Sequence, residues 1–260
     1  MLDAEGLCFR IGDATIVRGV TLSVSPGEVV ALCGPNGAGK STLLSLLSGE
    51  QSATSGEVRF QGKSLSKWSP VALARLRAKL SQESTLTFAF RVYEVVEMGR
   101  FPYDTPKLDG EIIRACLQHL EIEHLEDRFY TSLSGGEKQR VQLARALAQL
   151  TSEHEEPRML LLDEPTSALD LLHQEVALKR AHDLCREHNY GVVVVLHDLN
   201  LASAWADRIL LMKEGRLVRG GVPRDVLTPE VLRDTYGIGV LVLPHPQTGR
   251  PIVTIDRQSV

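Results

Sequence analysis

Hydrophobic positions in the first third of the chain fall in short β-type runs, at 7–9, 20–24, 29–33 and 57–60, with Pro26-Gly27 supplying a turn between two of them. A layer of strands is expected there. From about residue 91 to 150 the period changes: Val92, Val95 and Val96, then Ile112, Ile113, Cys116, Leu117 and Leu120, recur on one helical face. That stretch reads as a helical insert. Two near-continuous apolar runs follow, 159–162 and 192–196, separated by an amphipathic segment from about 171 to 189. Such runs are strands buried on both faces, and the segment between them is a crossover helix, so the order is βαβ and the sheet is largely parallel. Residues 240–243 and 252–255 flank a turn-rich stretch and predict a terminal hairpin.

Composition narrows the class. A chain of 260 residues with 43% hydrophobic and 24% charged residues has an ordinary globular make-up, which excludes disorder and a disulfide miniprotein. Its 29 Lys+Arg against 33 Asp+Glu give a net charge of −4, which offers no broad basic field to a nucleic-acid backbone, so direct nucleic-acid binding is not expected. The apolar runs are far shorter than the ~20 residues a membrane-crossing helix needs. Met1, Leu2, Asp3, Ala4 and Glu5 lack the features of a secretory signal, so a place in the cytosol or on a membrane's cytosolic face is expected. Cys8, Cys33, Cys116 and Cys185 form no C-x-x-C pair and are expected to be reduced, packed thiols. The acidic patch Glu153-His154-Glu155-Glu156-Pro157 is the one linker-like stretch.

Three segments carry chemistry. Gly34-Pro35-Asn36-Gly37-Ala38-Gly39-Lys40-Ser41-Thr42 matches G-x-x-x-x-G-K-[ST] and lies between a predicted strand and a predicted helix. Glycines let the backbone form a nest of N–H donors, the helix adds its positive end, Lys40 reaches the β- and γ-phosphates and Ser41 can ligate Mg²⁺. A plain glycine turn would not need the Lys-Ser pair. The run at 159–162 delivers Asp163 and Glu164 to the same sheet edge, where Asp163 suits the Mg²⁺ shell and Glu164 can polarise an attacking water. Polar turn chemistry at a strand end is the bland reading of Asp-Glu-Pro, and the neighbouring phosphate loop weighs against it. Leu133-Ser134-Gly135-Gly136-Glu137 opens a further helix. A capping box explains Ser134 and Glu137 by itself, yet the two glycines also form a second anion site at a helix start.

In that order, with Gln82, Ser167-Ala168-Leu169-Asp170 and His197, the chain resembles the ATP-binding-cassette ATPases over nearly its whole length. The resemblance implies an α/β P-loop NTPase fold: a mainly parallel core sheet with an antiparallel β layer (1–82 and 151–239), a helical subdomain (83–150) and a terminal hairpin (240–260). It implies ATP and Mg²⁺ as ligands and a head-to-tail dimer in which Ser134, Gly135 and Gly136 of one copy close over the ATP held by Lys40 of the other. It further implies that Gln82 senses Mg²⁺ and nucleotide, that Asp170 links the two sites, and that His197 contacts the γ-phosphate. One departure stands out: Ile11, before Gly12, replaces the aromatic residue that stacks adenine in the family. Phe9 is the nearest aromatic, placed on the same side by alternation, and selectivity for ATP over GTP is expected to be loose.

The stretch 91–103 and residues 196–202 resemble the importers that take up iron chelates, haem and cobalamin, and Asp170-Leu171-Leu172-His173-Gln174 resembles haem importer subunits. The resemblance implies a dimeric membrane permease as partner, an extracytoplasmic haem-binding protein as an indirect one, a peripheral place on the cytoplasmic face of the bacterial inner membrane, and no haem contact by this chain. Ferric siderophore or cobalamin remains open as cargo. A cassette acting on DNA or ribosomes is the rival from another class, and it usually adds a second cassette, a coiled coil or a basic arm. A nucleotide kinase would leave the Leu-Ser-Gly-Gly-Glu loop without a task.

Overall fold

The computed structural model describes residues 1–81, 86, 88–152 and 156–257. In chain order come β1 (Leu2–Ile11), β2 (Ala14–Val24), β3 (Val29–Cys33), α1 (Lys40–Ser48), β4 (Ser55–Phe60), β5 (Lys63–Ser64), α2 (Pro70–Leu76) and β6 (Arg77–Leu80). Helices α3 (Val92–Glu97), α4 (Pro106–His119) and α5 (Gly135–Leu150) form the helical insert. The chain returns through β7 (Met159–Asp163), α6 (Leu171–His188), β8 (Gly191–Val195), α7 (Leu199–Trp205), β9 (Arg208–Lys213) and β10 (Arg216–Gly221). It closes with α8 (Pro223–Val226), α9 (Pro229–Tyr236) and the hairpin β11 (Val240–Pro244) and β12 (Pro251–Ile255).

The central sheet has the order β10-β9-β3-β8-β7-β6, parallel throughout except for the antiparallel edge strand β10. Alternation along its inner strands divides the interior in two. Val29, Ala31 and Cys33 of β3, Leu160 and Leu162 of β7, and Val192 and Val194 of β8 face one core, which holds the buried faces of α3 to α7. Val30, Leu32, Leu161, Val193 and Val195 face the other, shared with α1 and the antiparallel sheet β2-β1-β4-β5. Both faces are covered, which is why these strands read as unbroken apolar runs.

Alternation does not hold along β1. The extra residue lies between Ala4 and Leu7, where β1 advances three positions against two of β2; beyond it Phe9 packs against the second core and Ile11, the last residue of the strand, is 62% exposed. That bulge breaks the period-two rule ahead of Phe9, and the residue skipped between the partners of Phe9 and Arg10 is Ile16 of β2.

Helix ends are set locally. Ser69 caps α2 by accepting from Ala72 N–H, with Pro70 in the first turn, and Asn189 ends α6 in the left-handed region at φ 57°. The hairpin is held on α7, where Asn200 Nδ2 donates to Val253 O (3.2 Å), Val253 N–H donates to Asn200 Oδ1 (2.8 Å) and Ser203 Oγ donates to Pro251 O (2.7 Å).

Candidate nucleotide site

Three neighbouring parallel strands end at one edge of the sheet, with Leu32 beside Val195 and Val195 beside Asp163. The segment 34–39, Asp163-Glu164 and His197 therefore leave the sheet side by side, as crevices at carboxyl edges of parallel strands require. Gly34 has φ 147°, and a Cβ there would stand 2.1 Å from Met212 O; Gly39 caps α1 at φ 94°, and a Cβ there would stand 2.8 Å from Ile16 O. Side chains are excluded at both positions, so the backbone between them closes tightly ahead of α1.

Lys40 is buried at 5% exposure, and its Nζ donates to Gly34 O (2.8 Å) and Pro35 O (2.9 Å), the backbone of its own loop. Burial pulls its ammonium below the usual lysine range, and the nearby negative charges of Glu164 and Asp163 offset part of that pull. Ser41 Oγ donates to Asp163 Oδ1 at 3.1 Å. Burial pushes the Asp163 carboxyl above the ordinary range, with the Ser41 hydrogen bond and the charge of Lys79 acting the other way. A desolvated carboxylate beside a hydroxyl, with no ion pair reaching it among the described residues, is a hard-oxygen pair of the kind Mg²⁺ takes alongside phosphate oxygens. Among the described residues no group of three or more His, Cys, Asp or Glu is placed to hold an ion.

Glu164, directly after β7, adopts φ 50°, the left-handed region that non-glycine residues rarely enter. Its Oε1 stands 2.5 Å from His197 Nε2, so carboxylate and imidazole form one polar unit at the edge. Glu164 O accepts from Ser167 Oγ (3.1 Å) and from Gln139 Nε2 (2.9 Å).

The capping box at α5 is present in full. Ser134 N–H donates to Glu137 Oε2 (2.7 Å), and Glu137 N–H donates to Ser134 Oγ (3.3 Å). Among the described residues no hydrogen bond or ion pair joins Ser134, Gly135 or Gly136 to the 34–42 loop. The start of α5 rests instead on 168–169, where a Cβ on Gly136 would meet Ala168 O at 3.2 Å. Asp170 caps α6, accepting from His173 N–H (3.0 Å) with His173 Nδ1 2.7 Å away, and these contacts, the backbone one first, hold its carboxyl below the usual range. Gln82 lies outside the described residues.

Structure thus brings together 34–42, Asp163, Glu164 and His197, and places Ser134, Gly135, Gly136 and Asp170 in a second group around 164–170. The contacts of two glutamines escaped sequence reasoning. Gln139 holds Glu164 O and Ala168 N–H, and Gln174 Nε2 donates to Thr166 O (3.2 Å) and Leu169 O (3.0 Å). Gln139 carries no motif signal beyond standing within a turn or so of 133–137, and Gln174 was legible only as the last residue of the 170–174 stretch, without these contacts.

The ABC transporter family model matches residues 17–167, more than half of the chain. This chain belongs to the ABC transporter family. As an ABC cassette it is an ATP-binding and ATP-hydrolysing protein with the α/β fold described above. It is 49% identical over 254 residues to a hemin import ATP-binding protein HmuV of Pseudomonas fluorescens (strain Pf0-1), covering 97% of this chain and 99% of that one. It is likewise 49% identical over 257 residues to the protein of the same name from Gloeobacter violaceus, covering 97% and 93%. Among solved structures, a chain of an ABC transporter described as of metal-chelate type, in an inward-facing conformation, superposes with a TM-score of 0.81 at 28% identity, covering 99% of this chain and 97% of that one. The dimeric structure of a bacterial ABC transporter cassette gives 0.76 at 29% identity, covering 85% and 98%. ABC cassettes of this kind work as dimers with a membrane permease.

Proposed function

We propose that this chain is the ATPase subunit of a bacterial hemin importer, acting as a head-to-tail pair on the cytoplasmic face of the inner membrane and driving a dimeric permease fed by an extracytoplasmic haem-binding protein. One observation carries the mechanism: the chain holds two anion-binding helix starts, at Lys40 and at Gly135, and the second does not reach the first. Two copies placed head to tail supply each nucleotide with one start from each chain. Hemin as cargo is supported by the relatives of the same length, and on this reading haem passes through the permease without touching the cassette. No helix among the described residues is long and apolar enough to cross a membrane, consistent with a peripheral subunit. Phe88 (73% exposed) and Phe101 (77% exposed), on the insert side, offer apolar surface for the permease.

The geometry supports a role for each described residue of the site. Lys40 exchanges Gly34 O and Pro35 O for phosphate oxygens, with the N–H groups of 34–42 around them. Ser41 and Asp163 would hold Mg²⁺, with Gln82 joining them as the family resemblance implies, and the ion would supply charge neutralisation to the phosphates. Glu164 takes the proton of the attacking water. His197, against the Glu164 carboxylate, orients that group and faces the γ-phosphate. Asp170 caps α6 at the seam between the copies.

Glu164→Gln removes the proton acceptor and keeps the shape, so hydrolysis should fall by roughly 10²–10⁴ while Mg²⁺-ATP drives the variant into a stable dimer on size exclusion. Undiminished turnover would remove Glu164 from its role. Co-purification with a multi-span permease and haem uptake into vesicles tests the cargo; uptake of a ferric siderophore or cobalamin instead would keep the subunit role and change the substrate.

A further inference from the structure

The segment 164–170 runs from Glu164 to Asp170 and is gripped by two glutamines. Gln174, on α6, donates to Thr166 O and Leu169 O. Gln139, on α5, uses both ends of its amide: Nε2 donates to Glu164 O at 2.9 Å, and Oε1 accepts from Ala168 N–H at 3.2 Å. The amide orientation is forced, because a carbonyl only accepts and a backbone N–H only donates. The residue so held, Glu164, has the left-handed φ of 50°, a conformation that persists only where surrounding contacts fix it. Gln139 stands little more than a turn into the helix that Ser134 caps, and the start of that helix already rests on 168–169 through Gly136.

We infer that Gln139 is a positioning residue that joins the two nucleotide sites within one chain, by tying the N-terminal turn of α5 to the backbone of Glu164. The inference rests on the split-site reading above. In that arrangement the start of α5 serves the nucleotide bound to the partner, while Glu164 serves the nucleotide bound to its own chain. A displacement of α5 on engaging the partner's γ-phosphate is then passed by a single side-chain amide to the carbonyl of Glu164, and the carboxylate on the same residue moves with it. Gln174 steadies the segment without touching Glu164, which separates holding the loop from setting the base.

The test compares Gln139→Ala, Gln139→Glu and Gln174→Ala in the full chain, by steady-state ATP hydrolysis against ATP concentration and by thermal unfolding. Gln139→Glu can still accept from Ala168 N–H but cannot donate to Glu164 O. Both Gln139 variants should lose about tenfold or more in kcat, keep half-saturation within about threefold, and lower the Hill coefficient towards one. Gln174→Ala should lower the unfolding midpoint comparably and keep kcat within about threefold. Mg²⁺-ATP-driven dimerisation of Gln139→Ala in a Glu164→Gln background shows that the variant folds and binds. Wild-type kcat in Gln139→Ala, or equal kcat losses in Gln139→Ala and Gln174→Ala, would overturn the proposal alone. A wild-type chain without ATP turnover, or a Glu164→Gln chain that never dimerises, would overturn the split-site reading and the proposal with it.

Discussion

Gly99 sits in a single 3₁₀ turn, Met98–Arg100, laid directly on α5. An alanine there would place its Cβ 2.3 Å from Arg145 O, 3.1 Å from Gln149 N and 3.3 Å from Arg145 C, all main-chain atoms of the last turns of α5. Ordinary C···O contacts begin near ~3.3 Å, so with no rotamer to yield, the turn must retreat by about 1 Å. Arg100 goes with it. Its guanidinium, 3% exposed, donates to Asp109 Oδ1 (2.8 Å) and Ala148 O (2.6 Å), bonds that a shift of that size breaks or lengthens. Overpacking of about 1–3 kcal/mol together with weakened charged hydrogen bonds of about 1.5–3 kcal/mol each suggests a loss of about 3 kcal/mol for Gly99→Ala. In a chain of this size that lowers the unfolding midpoint by roughly 6–12 °C. Differential scanning fluorimetry without nucleotide reads the shift directly, and permease pull-down reads the displacement of Phe101, the next residue along. A midpoint within about 2 °C of wild type would refute the close-packing argument, since backbone atoms at such separations leave no cheaper relief.

Four further perturbations probe the site. Burial raises Asp163, so its neutral form is favoured in the native state; that contribution is full below the unfolded value of about 3.9 and is lost as pH rises through the raised native value. Mg²⁺ offsets the lost contribution, so the gain in unfolding midpoint from Mg²⁺-nucleotide should grow with pH above about 4 in wild type and much less in Asp163→Asn; parallel curves would remove Asp163 from the metal. Ile11→Tyr restores an aromatic platform at an exposed position and should tighten ATP binding about two- to tenfold by fluorescent-nucleotide titration, with smaller gains for pyrimidine nucleotides; an unchanged affinity would place adenine elsewhere. Ser134→Arg, in a Glu164→Gln background, loses a cap worth about 1 kcal/mol but should abolish the nucleotide-driven dimer, and an unchanged dimer on size exclusion would sink the head-to-tail arrangement. Lys40→Ala should abolish the stabilisation that nucleotide confers, since nothing else described sits against Gly34 O and Pro35 O as a cation; a wild-type shift with ATP would show that the loop's N–H groups suffice.

What could be read in advance was what lies contiguous in the chain. The phosphate loop, the Asp163-Glu164 pair and the capping box at Ser134 each occupy a few consecutive residues, and the βαβ order followed from apolar runs that had to be buried on both faces. Features made by folding itself were out of reach. The bulge between Ala4 and Leu7 of β1 gave no sign in a run that alternation alone describes, and neither did the 62% exposure of Ile11 at the strand's end. Gln139 looks like any helical glutamine until α5 is laid against the end of β7, which brings residues 25 and 29 positions away to the two ends of its amide. Gly99 likewise gives no local sign of the helix that presses on it, 46 positions further along at Arg145.

These hidden contacts share a physical character that bears on mechanism. Groups that meet phosphate or water are presented by strand ends and helix starts, whose geometry the local sequence dictates, so their identities are legible. The contacts proposed to relate one half of the machine to the other run across elements, from Gln139 to the Glu164 carbonyl, from Gln174 to 166 and 169, and from Gly136 to Ala168. All three converge on the same short segment between Glu164 and Asp170. In the proposed head-to-tail pair, with the chemistry at one end of that segment and the seam at the other, the segment has to move as a unit, and the bonds to the backbone of 164, 166, 168 and 169, together with the burial of Leu169 in the core, tie its parts to one another.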